Sequence, residues 1–409
     1  MVMHQSDFKL TEHKFLLETF SEDKLINQIH CYKPIKKVFS LSGLNAFLIE
    51  HPEILEKADA GLAGYISYEG DMEFIIYEEI KKSNLNEEHC LKESQKETEV
   101  MLRSETEFLK FKREEYINKI KLCQKYIEEG DIYQANLSEK IETKIKLSDK
   151  DLEDLYHKLK LENPAPYSAF LNYENYVIIS SSPESFLKIY PGETKDIWML
   201  ESSPIKGTSR LDKKNELLIS EKERAEHIMI VDLIRNDLGR ISKTGSVKVP
   251  EFLEIKKFKN LFHLVSKISS LLDESNLLKI GSGNKLISIP NLEKIFNASF
   301  PGGSITGTPK IRAMEIIREL EKVKRGPYTG SIGYFKFQEG GEFNIIIRTL
   351  VYDKINQELS FHSGAGITSS SNPEEEFREI ELKAEKINRC LWLSLIIKKL
   401  PQTLSPWIY

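Results

Sequence analysis

Residues 300–310, FPGGSITGTPK, lead from a glycine-rich turn into an amphipathic pattern at residues 310–324. Thr308 is a good N-cap and Pro309 suits a first helical position, so the pattern predicts a helix that begins here. A glycine-rich turn at a helix N-terminus presents backbone N–H groups and is suited to an anion. The GxxxxGK[ST] spacing of a nucleotide-binding P-loop does not occur in it. A tight structural turn with a capped helix explains the same residues.

Outward from this turn, strand-like and helix-like patterns are mixed along the chain. The strand-like stretches, which are short and apolar, are residues 61–68, 176–180 and 343–352. The helix-like stretches are residues 116–129, 215–233, 310–324 and 374–397, and residues 81–115 are predicted to be a charged surface insertion. Because these elements do not alternate as βαβ units, their order favours an α+β fold with antiparallel sheets.

The composition argues against several classes of protein. The chain has 409 residues and a formal net charge of −5, without a basic face, so we expect no nucleic-acid partner. The longest apolar run, near residues 391–397, is shorter than the ~20 residues that cross a bilayer, so we expect no membrane segment. The cysteines are far apart and residues 1–10 lack a signal-peptide pattern, so we expect a cytoplasmic protein with reduced thiols.

Two acidic pairs have the spacing of one helix face. Glu223 and Glu226 are three positions apart, as are Glu376 and Glu379, with Lys383 four positions further on. Two helices that each present carboxylates could bind Mg²⁺, a hard cation that prefers oxygen ligands. Solvated charged faces are the common alternative, because glutamate-rich helices are ordinary.

Two further stretches have the residue types of a binding site. Lys206 lies beside glycine and follows proline, where it could act as a nucleophile in a dry pocket or remain an exposed loop lysine. Gly364, Ala365 and Gly366 leave room for a planar ligand. Arg348 and Tyr328 lie upstream of them, and an arginine can bind a carboxylate through two parallel hydrogen bonds. Each feature alone is more often structural.

The order of these stretches resembles the chorismate-utilising enzymes, a family that includes anthranilate, isochorismate and salicylate synthases. The matching blocks are SSSPESF, PIKGT, RAEHIMIVDLIRNDLGR, FHLVS, SFPGGSITGTPKIRAMEII, RGPYTGSIGYF, FNIIIRTL, GAGI and NPEEEFREIELKAEKI. The resemblance covers residues 116–395 as the catalytic region, with residues 1–115 as a poorly matched part of the same fold and residues 396–409 as a tail. It implies two antiparallel sheets packed face to face, with helices outside and the active site between the sheets.

The resemblance also implies roles for individual residues. Glu226 and Glu379 match the Mg²⁺ ligands of the family, supported by Glu223 and Glu376. Glu184 resembles a general acid, which needs a raised pKa, and His263 matches an active-site histidine. The positions that match substrate contacts are Gly207, Thr208, Tyr328, Arg348, Gly364, Ala365, Gly366 and Lys383. Such a set suits chorismate, which has two carboxylates and a departing hydroxyl.

Two positions separate the branches of the family. Where isochorismate and salicylate enzymes have a lysine that activates water, this chain has Gln134, so ammonia is the expected nucleophile. Lys206 in PIKGT is similar to the covalent nucleophile of the branch that makes 4-amino-4-deoxychorismate for 4-aminobenzoate and folate. The anthranilate branch usually has PIAGT and aminates C2.

We therefore expect the 4-amino product, with ammonia from a separate glutaminase subunit. Anthranilate synthesis is the alternative. A third possibility is attack by water, which would give isochorismate without any need for ammonia. A fourth is that the chain is not an enzyme but a binding or scaffold protein with the same fold.

A stretch at Pro166, Tyr167 and Ser168 resembles half of a tryptophan pocket found in some relatives. The other half, from an N-terminal segment, is not recognisable in the sequence, so tryptophan binding is an open prediction.

Overall fold

The computed structural model describes residues 14–20, 26–85, 111–194, 197–210, 221–258 and 261–391. The strands are β1 Lys14–Phe20, β2 Ile26–Val38, β3 Gly61–Ile66, β4 Met72–Leu85, β5 Gln134–Lys144, β6 Tyr167–Asn172, β7 Tyr176–Ser182, β8 Ser185–Pro191, β9 Trp198–Ser202, β10 Ile205–Arg210, β11 Lys248–Phe258, β12 Leu261–Leu271, β13 Leu277–Ser282, β14 Lys285–Pro290, β15 Gly307–Thr308, β16 Ser331–Lys336, β17 Gly340–Asn344, β18 Thr349–Asp353 and β19 Glu358–Ile367. The helices are α1 Leu41–Glu50, α2 Arg113–Glu128, α3 Asp149–Glu162, α4 Glu221–Gly239, α5 Leu292–Ser299, α6 Lys310–Glu321 and α7 Pro373–Leu391.

Hydrogen bonds join 17 of these strands into one antiparallel network, and β13 and β14 form a separate hairpin. One half of the network contains β15, β5, β19, β18, β7, β6 and β1, and the other contains β4, β3, β16, β17, β8, β9, β12, β10 and β11. The long strand β2 joins the halves because it pairs with β1 on one side and with β4 on the other. The sequence did not reveal this joining role for the N-terminal strands.

The two halves pack face to face around a shared apolar layer. Ala63 and Ile75 of one half share a cluster with Leu171 and Ile178 of the other. On the outer faces, α1, α4 and α5 cover the half that contains β3 and β4, and α3 and α7 cover the half that contains β5 and β19. The expected α+β fold with face-packed antiparallel sheets and outer helices is therefore confirmed.

Backbone approach explains the glycines of β3. A Cβ on Gly64 would lie 2.2 Å from the carbonyl oxygen of Glu73, and one on Gly61 would lie 2.3 Å from that of Phe335. Those distances are far shorter than any real contact, so both positions of this strand require glycine.

Two local predictions were wrong. Residues 343–352 form the end of β17 and the start of β18 rather than one strand, because Arg348 between them has a left-handed φ of 52°. Thr308 is not an N-cap: it belongs to β15 and pairs with Gln134, and α6 begins after Pro309 without a side-chain cap. In both cases a tertiary contact outweighs the local pattern.

Other predicted boundaries are met in part. Residues 81–85 continue β4 instead of starting an insertion, and α2 ends just before Gly130, as expected. Residues 86–110, 211–220 and 392–409 lie outside the described residues, and with them part of the charged stretch, the start of the helix predicted at 215–233 and the C-terminal tail.

Candidate active site

The two halves of the strand network meet at Lys206 and Gly366. A Cβ built on Gly366 of β19 would lie 3.7 Å from Nζ of Lys206 on β10 and 2.6 Å from Nε2 of Gln134 on β5. Gly207, with a φ of 64°, makes a bulge directly after Lys206. The side chains of the lysine and the glutamine therefore both approach the backbone at Gly366, where the absence of a side chain leaves space for a ligand.

His263 lies on β12 opposite Thr208 of β10. The imidazole is buried, and burial lowers its pKa to about 4, with the cation of Arg348 acting in the same direction; a hydrogen bond to the backbone of Gly207 opposes the shift. His263 is therefore neutral at physiological pH. The side chain of Thr208 lies outside the described part of the structure.

Glu184 follows β7 and is 7% exposed. Burial raises its pKa, and the opposing influences come from the Ser304 hydroxyl and from the cations of Lys206, Lys383 and Arg348. The Ser304 hydroxyl lies beside the carboxyl group but without full hydrogen-bond geometry to any described residue. The structure thus brings three predicted cations around one buried carboxyl group whose pKa shift has the direction that a general acid needs.

Arg348 owes its position to the left-handed turn between β17 and β18. Its backbone carbonyl accepts a hydrogen bond from the N–H of Ser181 at 3.3 Å, and Nη1 donates to Oδ1 of Asn163 at 3.3 Å. Burial lowers the pKa of the guanidinium and Glu184 opposes that change. Since a guanidinium has five N–H donors, Arg348 retains the capacity to bind a carboxylate.

Tyr328, Gly364 and Lys383 form the next part of the site. A Cβ on Gly364 would lie 2.8 Å from the Tyr328 hydroxyl and 2.6 Å from the carbonyl oxygen of Leu137. Lys383, which lies on α7, donates a hydrogen bond to the Gly364 carbonyl at 2.9 Å. Ala365, between the two glycines, is fully buried. The predicted substrate positions on β19, α7 and the segment before β16 are therefore neighbours.

A buried ion pair that the sequence analysis missed supports this region. Arg325 and Glu321 have side chains 1% exposed and pair at 2.7 Å. Arg325 also donates to the carbonyls of Asn136 at 2.6 Å and Ile305 at 3.0 Å, and Glu321 accepts from the backbone N–H of Ser138 at 2.7 Å. The pair thus ties β5 to the glycine-rich turn. Its sequence signal was a Glu and an Arg four apart at a helix end, a spacing that is common on surfaces.

The predicted metal-binding carboxylates lie on α4 and α7. Glu226 and Glu376 are buried and Glu223 is half-buried. Oε1 of Glu379 lies 2.6 Å from Nζ of Lys383. Among the described residues, no three His, Cys, Asp or Glu side chains are grouped closely enough to hold a metal ion. Because Mg²⁺ often takes one or two protein carboxylates and completes its shell with other oxygens, the donor chemistry of these residues fits that ion.

The possible tryptophan stretch lies at the start of β6. Tyr167 and Ser168 pair with Thr19 and Glu18 of β1. Glu18 is buried, accepts from Gln28 at 2.7 Å and forms an ion pair with Lys160. β1 is therefore the N-terminal strand that lies beside this stretch, and tryptophan binding stays a prediction.

The comparisons with known proteins agree with this geometry. The sequence pattern described as chorismate binding enzyme matches residues 62–389. The chain therefore belongs to the chorismate binding enzymes.

Within that family, the chain is similar to more than one kind of enzyme. It is 40% identical to aminodeoxychorismate synthase component 1 of Bacillus subtilis over 292 residues, which are 69% of this chain and 57% of the relative. It is 36% identical to anthranilate synthase component 1 of Aquifex aeolicus over 289 residues, 69% of this chain and 53% of that protein. The matches thus span only about half the length of these curated relatives.

A solved structure gives a longer match. Anthranilate synthase component I from Streptococcus pneumoniae TIGR4 superimposes with a TM-score of 0.67 at 26% identity, over 88% of this chain and 92% of that one. None of the described helices is long and apolar enough to cross a membrane.

Proposed function

We propose that this chain aminates chorismate at C4 and so makes 4-amino-4-deoxychorismate, the precursor of 4-aminobenzoate. The single observation behind the proposal is the position of Lys206. Its Nζ lies beside the bare backbone of Gly366 and next to Gln134, with the buried Glu184 carboxyl group in the same site. The resemblance to aminodeoxychorismate synthases in the PIKGT block supports the same product.

In the proposed reaction Lys206 bonds to C2 of the ring while the C4–oxygen bond breaks. Glu184 gives its proton to the departing hydroxyl, which leaves as water, and the ring double bonds shift. Ammonia then bonds to C4 and the C2–Lys206 bond breaks, which returns the double bonds and frees the lysine. Glu184 suits the first proton transfer because burial raises its pKa.

The remaining residues bind and orient the substrate. Arg348 and Tyr328, with Gly364–Gly366, would hold the carboxylates of chorismate, and Lys383 fixes the Gly364 carbonyl. Gln134 cannot act as the base that activates water, so it favours ammonia over hydrolytic chemistry. Glu226 and Glu379 would hold Mg²⁺, which when bound would neutralise a substrate carboxylate. The reaction class is then that of a magnesium-dependent, amino-group-transferring enzyme.

Ammonia would come from a glutaminase subunit that associates with this chain. The name component 1 of the Bacillus subtilis relative supports a second component. Folate synthesis is the pathway that uses this product.

Amination at C2 is the second candidate, and the 36% identity to an anthranilate synthase component 1 supports it. A mass-resolved product assay separates the two. Purified protein is incubated with chorismate, Mg²⁺ and an ammonium salt at mildly alkaline pH, and an aminodeoxychorismate lyase is added afterwards. We expect 4-aminobenzoate only after the lyase is added. Anthranilate without the lyase contradicts the proposal.

A chelator arm of the same assay tests the metal. We expect chorismate consumption to stop when Mg²⁺ is removed and to return when it is restored. Consumption that survives the chelator contradicts the assignment of Glu226 and Glu379.

A further inference from the structure

A cavity lies on the side of Glu184 next to the glycine-rich turn. Its lining includes Glu184 and Ser304, together with Asp237 and Ile234 of α4 and Ser299 at the end of α5. The space, part of which opens to solvent, measures about 350 Å³, and its enclosed centre accommodates a molecule of the size of water. Chorismate, with a ring and two carboxylates, is too large for that centre.

The cavity wall contains polar atoms that no described residue satisfies. Asp237 is 3% exposed, and its Oδ1 makes no hydrogen bond within the described residues. The Oγ of Ser304 is also buried and without a well-formed hydrogen bond there. A buried carboxylate oxygen without a donor is costly, so this atom requires a small hydrogen-bond donor in the cavity.

The second oxygen of Asp237 is already used. Lys310 donates to Oδ2 at 2.6 Å and to the carbonyl of Ser299 at 3.1 Å. Lys310 therefore holds the carboxylate in one orientation, and Oδ1, on a residue that lines the cavity, is left without a donor among the described residues. Burial raises the pKa of Asp237 and lowers that of Lys310. Both shifts have the direction expected when a charged group is removed from water.

We propose that this cavity binds the nitrogen substrate, as ammonium, between Asp237 and Glu184. Ammonium has the size of water, four N–H donors and a positive charge, so it matches an acceptor-only carboxylate oxygen and a hydroxyl oxygen. The inference rests on the proposed amination. It adds a place where the nitrogen is held next to the carboxyl group that acts on chorismate, and it makes Asp237 a binding residue for the second substrate. Once Glu184 has given its proton to the departing hydroxyl, its carboxylate takes a proton from ammonium, and the ammonia so formed bonds to C4.

Steady-state kinetics with free ammonium test the proposal. Asp237→Asn is expected to raise the KM for ammonium on the order of tenfold, the change that loss of a charged hydrogen-bond partner produces. The KM for chorismate is expected to change less than about twofold, because Lys206, Arg348 and Tyr328 are not among the residues that line this cavity. Equal changes in both constants overturn the proposal.

Matched variants guard against a folding defect. Asp237→Asn with Lys310→Met removes both charges of the pair, so that no lysine is left unpaired, and it should show the same selective loss. Glu73→Gln is the control, because Glu73 is also buried and pairs with Lys37 at 2.6 Å but lies on β4, away from the cavity lining. The control is expected to keep the wild-type KM for ammonium.

A binding measurement separates this inference from the proposed function. Thermal unfolding is followed in ammonium, potassium and sodium chloride at equal ionic strength, and ammonium should raise the Tm of the wild type but not of Asp237→Asn. If chorismate is aminated and Asp237→Asn leaves the ammonium KM unchanged, the cavity holds water only and the inference fails alone. If ammonium stabilises through Asp237 and no amination occurs, the proposed function fails alone. Equal stabilisation by potassium shows a general cation site and overturns the assignment.

Discussion

Lys206 and Arg325 are two cations of the same site with opposite surroundings. Arg325 is buried in an ion pair with Glu321 and donates to two backbone carbonyls, so its charge is fully used by the protein. Lys206 is half-buried, and its Nζ makes no hydrogen bond to the described residues, although it lies near the backbone of Gly366. A charge with complete partners stabilises a fold, whereas a charge with few partners is available to a substrate. The contrast predicts opposite responses to mutation.

Lys206→Ala is expected to have the largest effect on activity. Removal of the proposed covalent nucleophile should lower the rate of 4-amino product formation by roughly 10³-fold or more, while the Tm stays near that of the wild type. Product-resolved kinetics and thermal unfolding on the same preparation check both halves. Retention of a tenth of the activity would show that the lysine is only a contact.

Glu184→Gln is expected to lower activity by about 10²–10⁴-fold, the usual contribution of a general acid, which is the role proposed for Glu184. It should also stabilise the protein at neutral pH. The folded-state pKa of Glu184 is raised, so its contribution to stability is full below the unfolded pKa and is lost as pH rises through the folded pKa. The Tm difference between variant and wild type should therefore grow from acid to neutral pH. A difference that is flat with pH contradicts the shift.

Arg325→Met tests the other side of the comparison. It leaves Glu321 as an uncompensated buried charge, which should cost about 3–5 kcal/mol of the free energy of unfolding. Denaturant unfolding measures the loss, and Glu321→Gln combined with Arg325→Met should restore much of it. A stable Arg325→Met protein with activity reduced as far as in Lys206→Ala would erase the distinction between the two cations.

Gly366→Ala should have the smallest effect. Its Cβ would meet the mobile end of Gln134 at 2.6 Å, so the side chain can move and the fold is kept, but the space beside Lys206 shrinks. We expect about a tenfold fall in kcat/KM, or ~1.4 kcal/mol. Gly333→Ala is the matched control: its Cβ would lie 2.4 Å from the backbone oxygen of Glu342, so it should impair stability instead.

The sequence predicted the fold class and most of the residues that converge. Tyr328, Arg348, Gly364 and Lys383 are far apart in sequence, and motif order alone placed them in one site. Their placement in one site depended on the resemblance to a known family, because residue spacing alone could not show which segments of the chain come together in the fold.

What the sequence missed depends on tertiary contacts. The left-handed φ of Arg348 is invisible within an unbroken apolar run, and the pairing of Thr308 with Gln134 outweighs its capping preference. β1 and β2 pair with each other as neighbours in the chain, but their other partners, β6 and β4, come later in the sequence, so their place between the two halves could not be predicted locally. The Asp237 cavity was missed since burial cannot be assigned from one acidic residue on a helix.

The way in which β2 connects the two halves has a consequence for the order of folding. Among the described residues, no strand pairing closes the network between β10 and β19, so Lys206 meets Gly366 only after both halves have formed and docked. Contacts of high sequence separation form slowly. During refolding, secondary structure should therefore recover first, and the capacity to turn over chorismate should be the last property to return.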